Sequence, residues 1–114
     1  TPDIVQGDEA GRIAMLRNAL FGRGAILHAL GRYEDALRAY QTAIAAFPQS
    51  PAVLDAYLQM ADCHRRLARP IEARGTVEQA KLVLNRLPKD AAFESVSNYT
   101  REEWGKLLDT LSSL

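Results

Sequence analysis

The stretch Leu30-Gly31-Arg32-Tyr33-Glu34-Asp35-Ala36, followed by Tyr40, Ala43 and Pro48, decides how this chain folds. Upstream of it, Ile13, Leu16, Leu20, Leu27 and Leu30 fall on one face at helical spacing. Downstream, Ala36, Leu37, Tyr40, Ala43, Ile44 and Phe47 do the same. The spacing predicts a helix over about residues 8–30 and a second over about 33–47. Gly31-Arg32 is the turn between them, and Pro48 stops the second helix. Gly24 stands on the first helix where close approach of another backbone needs a missing side chain.

Working outward, Ser50 is a good N-cap and Pro51 suits a first helical position, so a third helix is expected to about Ala68. Its stripe is Leu54, Tyr57, Met60, Ala61, His64 and Leu67. Pro70 opens a fourth helix, with Ala73, Val77, Ala80, Val83, Leu84 and Leu87 in phase until Pro88. Residues 89–99 have no period and read as a connection, long for a helical domain. Thr100-Arg101-Glu102-Glu103 is a capping box ahead of Trp104, Leu107, Leu108 and Leu111, which predicts a fifth, amphipathic helix with Arg101, Glu102, Lys106 and Asp109 on its charged face. No segment alternates like a strand. The fold class is therefore all-α, with about five helices. The expected organisation is one domain over residues 1–114: a hairpin over 8–48, a second over 51–88, the connection 89–99 and a capping helix over 100–114.

Sliding the chain against itself by 37 residues puts Gly24 on Ala61, Leu30 on Leu67, Ala36 on Ala73, Tyr40 on Val77 and Ala43 on Ala80. A fixed period in this range means stacked supersecondary units, each a helical hairpin that cannot bury its apolar face alone. Small residues at 24 and 36, or 61 and 73, allow two antiparallel helices to approach closely.

Gly24, Leu30-Gly31-Arg32-Tyr33-Glu34-Asp35-Ala36, Tyr40, Ala43 and Pro48 together resemble the tetratricopeptide repeat signature. The second unit keeps Ala61, Leu67, Glu72-Ala73, Ala80 and Pro88, with Pro70 where the family's tyrosine would fall. Its spacing exceeds the family's period of about 34. The extra residues fit best as Pro51-Ala52-Val53, an added turn at the start of the third helix. The resemblance covers about residues 17–88 and implies stacked hairpins in a right-handed superhelix. At least three repeats are generally needed to bury a continuous core, so the fifth helix is expected to cap the open end, anchored by Trp104.

The resemblance also implies a non-enzymatic scaffold that binds a protein or peptide partner in a concave groove lined by the first helix of each hairpin. In this chain those are the first and third helices. The implied partner-binding residues are Phe21, Ala25, His28 and Ala29 on one, and Asp55, Leu58, Gln59, Asp62, Arg65 and Arg66 on the other. A subset of the family clamps a carboxy-terminal peptide with Lys and Asn. Here the matching positions hold Phe21, Ala25 and Gln59, so no such clamp is expected. Two further readings stay open: self-association by repeat stacking into a homo-oligomer, and a connection whose Phe93, Val96 and Tyr99 fold back into the groove.

The remaining residues are read more blandly. Fourteen basic and fourteen acidic residues cancel, so no strong field favours nucleic acid or an anionic membrane. RNA binding rests only on residues 65–90, where seven bases face three acids. Cations at the end of the third helix also suit its dipole. Asp62 with Arg65 and Arg66 reads as a solvated helix ion pair. Cys63 and His64 point about 100° apart and share no ligand. His64 is expected at the edge of the core with one nitrogen satisfied, and His28 is expected to be exposed. No catalytic constellation, cofactor motif or metal-ligand spacing is present, and the longest uncharged stretch, Ala39–Leu54, is broken by two prolines and spans no membrane. The chain starts Thr1-Pro2-Asp3 and reads as a piece of a longer polypeptide. Eleven Arg against three Lys, and the Phe47-Pro48-Gln49-Ser50-Pro51 junction, resemble bacterial members, with cytoplasm and cell envelope both open.

Overall fold

The computed structural model describes residues 2–113, with side chains from Asp8 onward. Its elements are α1 (Pro2–Ala29), α2 (Tyr33–Ala46), α3 (Ala52–Arg66), α4 (Pro70–Arg86), a single 3₁₀ turn at Phe93–Ser95 and α5 (Arg101–Ser112). Among the described residues there is no strand. α1 packs on α2 and α3 on α4 as hairpins. α2 then lies against α3, α4 against α5, and α1 touches α3 along the inner side of the stack.

The two hairpin turns are built alike. Gly31 takes a φ of 75°, its N–H donates to the His28 carbonyl and the Arg32 N–H to that of Leu27 at 2.9 Å. This is a Schellman ending, which satisfies carbonyls that the last turn of a helix would otherwise leave orphaned. Thirty-seven residues on, Ala68 does the same at φ 59°, with Ala68 N–H on Arg65 and Arg69 N–H on His64 at 2.8 Å. A side chain at this φ crowds its own carbonyl, so Ala68→Gly is expected to stabilise the protein by about 1 kcal/mol. A urea midpoint unchanged or lowered in that variant would contradict the reading. Ser50 acts close to where expected: its Oγ accepts the Ala52 N–H at 3.2 Å, and the helix proper begins two residues later at Ala52.

The core runs between the hairpins and under α5. Tyr40, Val53, Leu54, Cys63 and Leu108 are its largest fully buried side chains. Gly24 lets the Tyr40 ring lie directly on the α1 backbone: a Cβ built there would sit 2.7 Å from two ring carbons.

Two expectations are corrected. α1 begins at Pro2, well ahead of residue 8, as a proline at the first helical position allows. It is twice as long as α2, 28 residues against 14, so its N-terminal half outruns its partner. Ile13, Leu16 and Leu30, placed in the core stripe by spacing alone, are instead exposed. The shape follows. The radius of gyration is 15.0 Å, against about 13 Å for a compact chain of this length. The accessible surface is 7420 Å², against about 6,200 Å² for a compact monomer of this mass.

The second correction concerns Arg101. It leaves the charged face of α5 and reaches back to the end of α4, where its guanidinium donates to the carbonyls of Leu84 (2.7 Å), Leu87 (3.3 Å) and Pro88 (2.6 Å). The ring of Phe93, itself buried, lies beneath it at 5.1 Å. A charged donor thus serves the orphan carbonyls of one helix from the first turn of the next. The capping box forms as expected: Thr100 Oγ1 accepts the Glu103 N–H at 3.2 Å, and Glu103 accepts the Thr100 N–H at 3.0 Å.

Candidate functional site

The inner side of the stack is lined by α1 and α3. Phe21 and Ala25 from α1 face Asp55 from α3 across a narrow cavity of about 190 Å³. Val96, from the connection before α5, also lines that cavity. The expectation of a folded-back connection therefore divides. Val96 reaches the groove, Phe93 goes into the core, and Tyr99 packs edge-on against Trp104 at 5.4 Å.

One turn further along, His28 Nε2 and Asp62 Oδ2 lie 2.6 Å apart and tie α1 to α3. His28 is thus half-buried and partnered, where an exposed position was expected; its ring also meets Tyr33 edge-on at 5.6 Å. Sequence reading gave His28 no partner and missed a carboxylate thirty-four residues away.

Beyond this bridge the groove widens into an open cleft of about 480 Å³ between α3, α4 and α5. Leu58, Asp62 and Arg65 line it from α3, together with Gln59 and Ala61. Pro70, Ala73, Arg74 and Val77 of α4 and Leu111 and Ser112 of α5 complete it, and none of these six was among the residues expected in the groove. They could have been found from length. α5 has 12 residues and runs antiparallel along α4, which has 17, so the start of α4 is left uncovered. Of the ten residues expected from sequence, Phe21, Ala25 and Asp55 meet in the narrow part, and Leu58, Gln59, Asp62 and Arg65 in the wide part, with His28 bridging between and Ala29 in neither. Arg66 lines neither cavity and reaches Asp62 at 3.5 Å.

The comparison with protein families agrees with the stacked helical hairpins. The family model described as tetratricopeptide repeat matches residues 15–81, more than half of the chain. This chain belongs to the tetratricopeptide repeat family. No curated protein and no solved structure matches it significantly. Tetratricopeptide repeats generally mediate protein–protein interaction and are typically non-enzymatic. The match covers the second half of α1, all of α2 and α3 and most of α4; α5 and the connection lie outside it.

The electrostatics of this tetratricopeptide groove centre on Asp62. Burial alone would raise its carboxyl, but the His28 hydrogen bond and the guanidiniums of Arg66 and Arg65 outweigh it and hold the group below the usual carboxylate range. Arg65 lies 3.7 Å from it and Arg66 3.5 Å, long contacts between groups more than half exposed on the arginine side. One carboxylate therefore serves two arginines and a histidine. Arg74 makes no ion pair among the described residues, so the cleft carries an uncompensated positive rim. The rest of the basic segment is dispersed: Arg69 pairs with Glu34, and Lys81 lies 3.4 Å from Asp109.

The reactive residue types are spent on packing. Cys63 is fully buried, and burial followed by the nearby Asp62 charge pushes its thiol up to about 11. His64 is half-buried at the core edge, but its buried Nδ1 has no hydrogen-bond partner, so the expected satisfied nitrogen is not seen there. Among the described residues no cluster of three or more His, Cys, Asp or Glu is arranged to hold a metal ion, and no helix is long and apolar enough to cross a membrane.

Proposed function

We propose that the two hairpins and α5 form one protein-interaction module, and that it takes an apolar-anchored, acidic segment of a partner protein in the cleft between α3, α4 and α5. The observation that carries this is the cleft itself. At about 480 Å³ it falls in the size range of formed binding sites, while the 190 Å³ cavity between α1 and α3, walled in part by Val96, is too small. Its floor is apolar (Leu58, Ala61, Ala73, Val77, Leu111), and its rim carries Arg65, paired with Asp62, and Arg74, unpaired among the described residues. Apolar anchors supply affinity in such a site, and the rim supplies selectivity and rate.

The test is recovery of partners from native lysate by the whole chain, compared with Leu58→Glu and Arg74→Glu variants whose helicity has first been checked by circular dichroism. A charge forced into the floor is expected to abolish capture, since a buried unpaired carboxylate costs several kcal/mol. Arg74→Glu is expected to weaken capture about tenfold or less, and the loss should shrink as salt rises. Recovery of the same proteins at the same level by all three chains would sink the groove reading.

A further inference from the structure

We propose that two copies of the chain pair through the open edge of the first hairpin, α1 against α1, antiparallel about a twofold axis. This surface is separate from the cleft between α3, α4 and α5. It is built from Ile13, Leu16, Leu20, Arg23, Leu27 and Leu30, whose spacing of 3, 4, 3, 4, 3 is that of a coiled-coil seam. Five of the six are apolar; Leu27 packs partly against the core, while Ile13, Leu16 and Leu30 are left exposed. Leu16 is 53% exposed and Leu30 67%, and Ile26 beside them is 63% exposed. Leu20 and Leu27 are half-buried and, with Arg23, line one wall of a shallow cavity whose other wall is α2.

Three observations say that a second copy covers this edge. The first is area. The chain exposes 7420 Å², about 1,200 Å² more than a compact monomer of its mass. Four of the eight exposed large apolar residues lie on α1, and Leu30 follows directly after it. A specific interface removes about 800 Å² from each partner, so the excess is sufficient. The second is the asymmetry of the stack. Its far end is closed by α5, which turns Glu102, Lys106, Asp109 and Thr110 to solvent. Head-to-tail stacking would set an apolar edge on a charged face, whereas joining the two apolar edges matches like with like and closes at two copies. The third is the seam's own pattern, which is self-complementary in one orientation. Parallel helices would set Arg23 against Arg23. Antiparallel helices centred between residues 20 and 23 set Arg23 opposite Leu20, Leu16 opposite Leu27 and Ile13 opposite Leu30. The Arg23 stem can lie along the seam with its head turned to solvent.

The experiment is sedimentation equilibrium on the 114-residue chain from about 1 to about 500 µM, a span that brackets weak and moderate dimers. The mass is expected to rise from 12.6 kDa to twice that value and stop. Leu16→Glu with Leu30→Glu, both at exposed positions, should weaken pairing about tenfold or more with the melting temperature of the monomer preserved. Leu58→Glu should leave it intact, which keeps this result independent of the cleft. A chain that stays monomeric throughout, a mass that climbs past two copies, or a double variant that associates like the wild type would each overturn the proposal. Orientation is read by oxidative cross-linking. A mixture of Leu20→Cys and Arg23→Cys chains is expected to link, with Cys63 shielded by its burial. Preferential linking of Arg23→Cys to itself would exclude the antiparallel arrangement.

Discussion

Gly24→Val is expected to destabilise the protein by on the order of 3 kcal/mol, and Gly24→Ala by about 1–2 kcal/mol. Helix propensity alone predicts the opposite sign, since alanine is better than glycine in a helix interior by about 1 kcal/mol. Geometry decides. A Cβ at residue 24 would stand 2.7–2.8 Å from three ring carbons of Tyr40, a distance real contacts do not show. Tyr40 is 2% exposed and wedged between the hairpins, and its hydroxyl is raised by burial, so the ring has no solvent-side escape. Relief requires α1 and α2 to separate, which loosens the core they share with α3. Gly75 is the internal control: it lies in α4 with open space around its Cα, and Gly75→Ala should stabilise by about 0.5–1 kcal/mol. Thermal melts should therefore move in opposite directions, by roughly 4 °C or more per kcal/mol in a domain of this size. A Gly24→Ala chain that melts at or above the wild type would show that the close approach to Tyr40 is not what holds this hairpin.

The same pair of positions shows why so much of the fold could be read from the sequence. Gly24, Gly31 and the apolar stripes encode local geometry: a close approach, a positive φ, a buried face. Each is written in residues only a few positions apart. The repeat then carries that information forward, so that Ala68 reproduces the turn of Gly31 even though it lacks the glycine. The capping box at Thr100 and Glu103 is equally local, and it forms as read. Periodicity names a helix face but not what covers it, and there the reading failed. Ile13, Leu16 and Leu30 are in phase with the core and exposed, because α2 is too short to reach the first two and Leu30 falls in the turn just past the end of α1. His28 and Asp62, and Arg101 with the end of α4, are pairings made by stacking; neither partner's own neighbourhood announces the other. The cleft was missed in the same way, since its α4 and α5 walls exist only because α5 stops before the start of α4.

Trp104→Ala is expected to cost about 3–5 kcal/mol, the range for truncating a large buried aromatic. The side chain is 2% exposed and holds α5 on α4 beside Leu84, Leu87 and Phe93, all buried. Its Nε1 donates to Ser97 Oγ at 2.7 Å, and Tyr99 packs edge-on against it, so the same residue also orders the connection that delivers Val96 to the groove. Two hairpins alone fall short of the repeat number that usually buries a continuous core, so the stack is expected to require α5. If Trp104 anchors it, the alanine variant should release α5 first. Trypsin would then cut after Lys89 and Arg101, while the helicity of α1–α4 outlasts the loss of tryptophan-side packing. Trp104→Phe separates packing from hydrogen bonding: it keeps most of the buried surface and loses the donor to Ser97, for an expected cost of about 1 kcal/mol plus that of the smaller ring. Equal damage from both substitutions would mean that the Ser97 bond, rather than burial, fixes the connection. A wild-type melt and digestion pattern in Trp104→Ala would mean that the two hairpins stand without their cap.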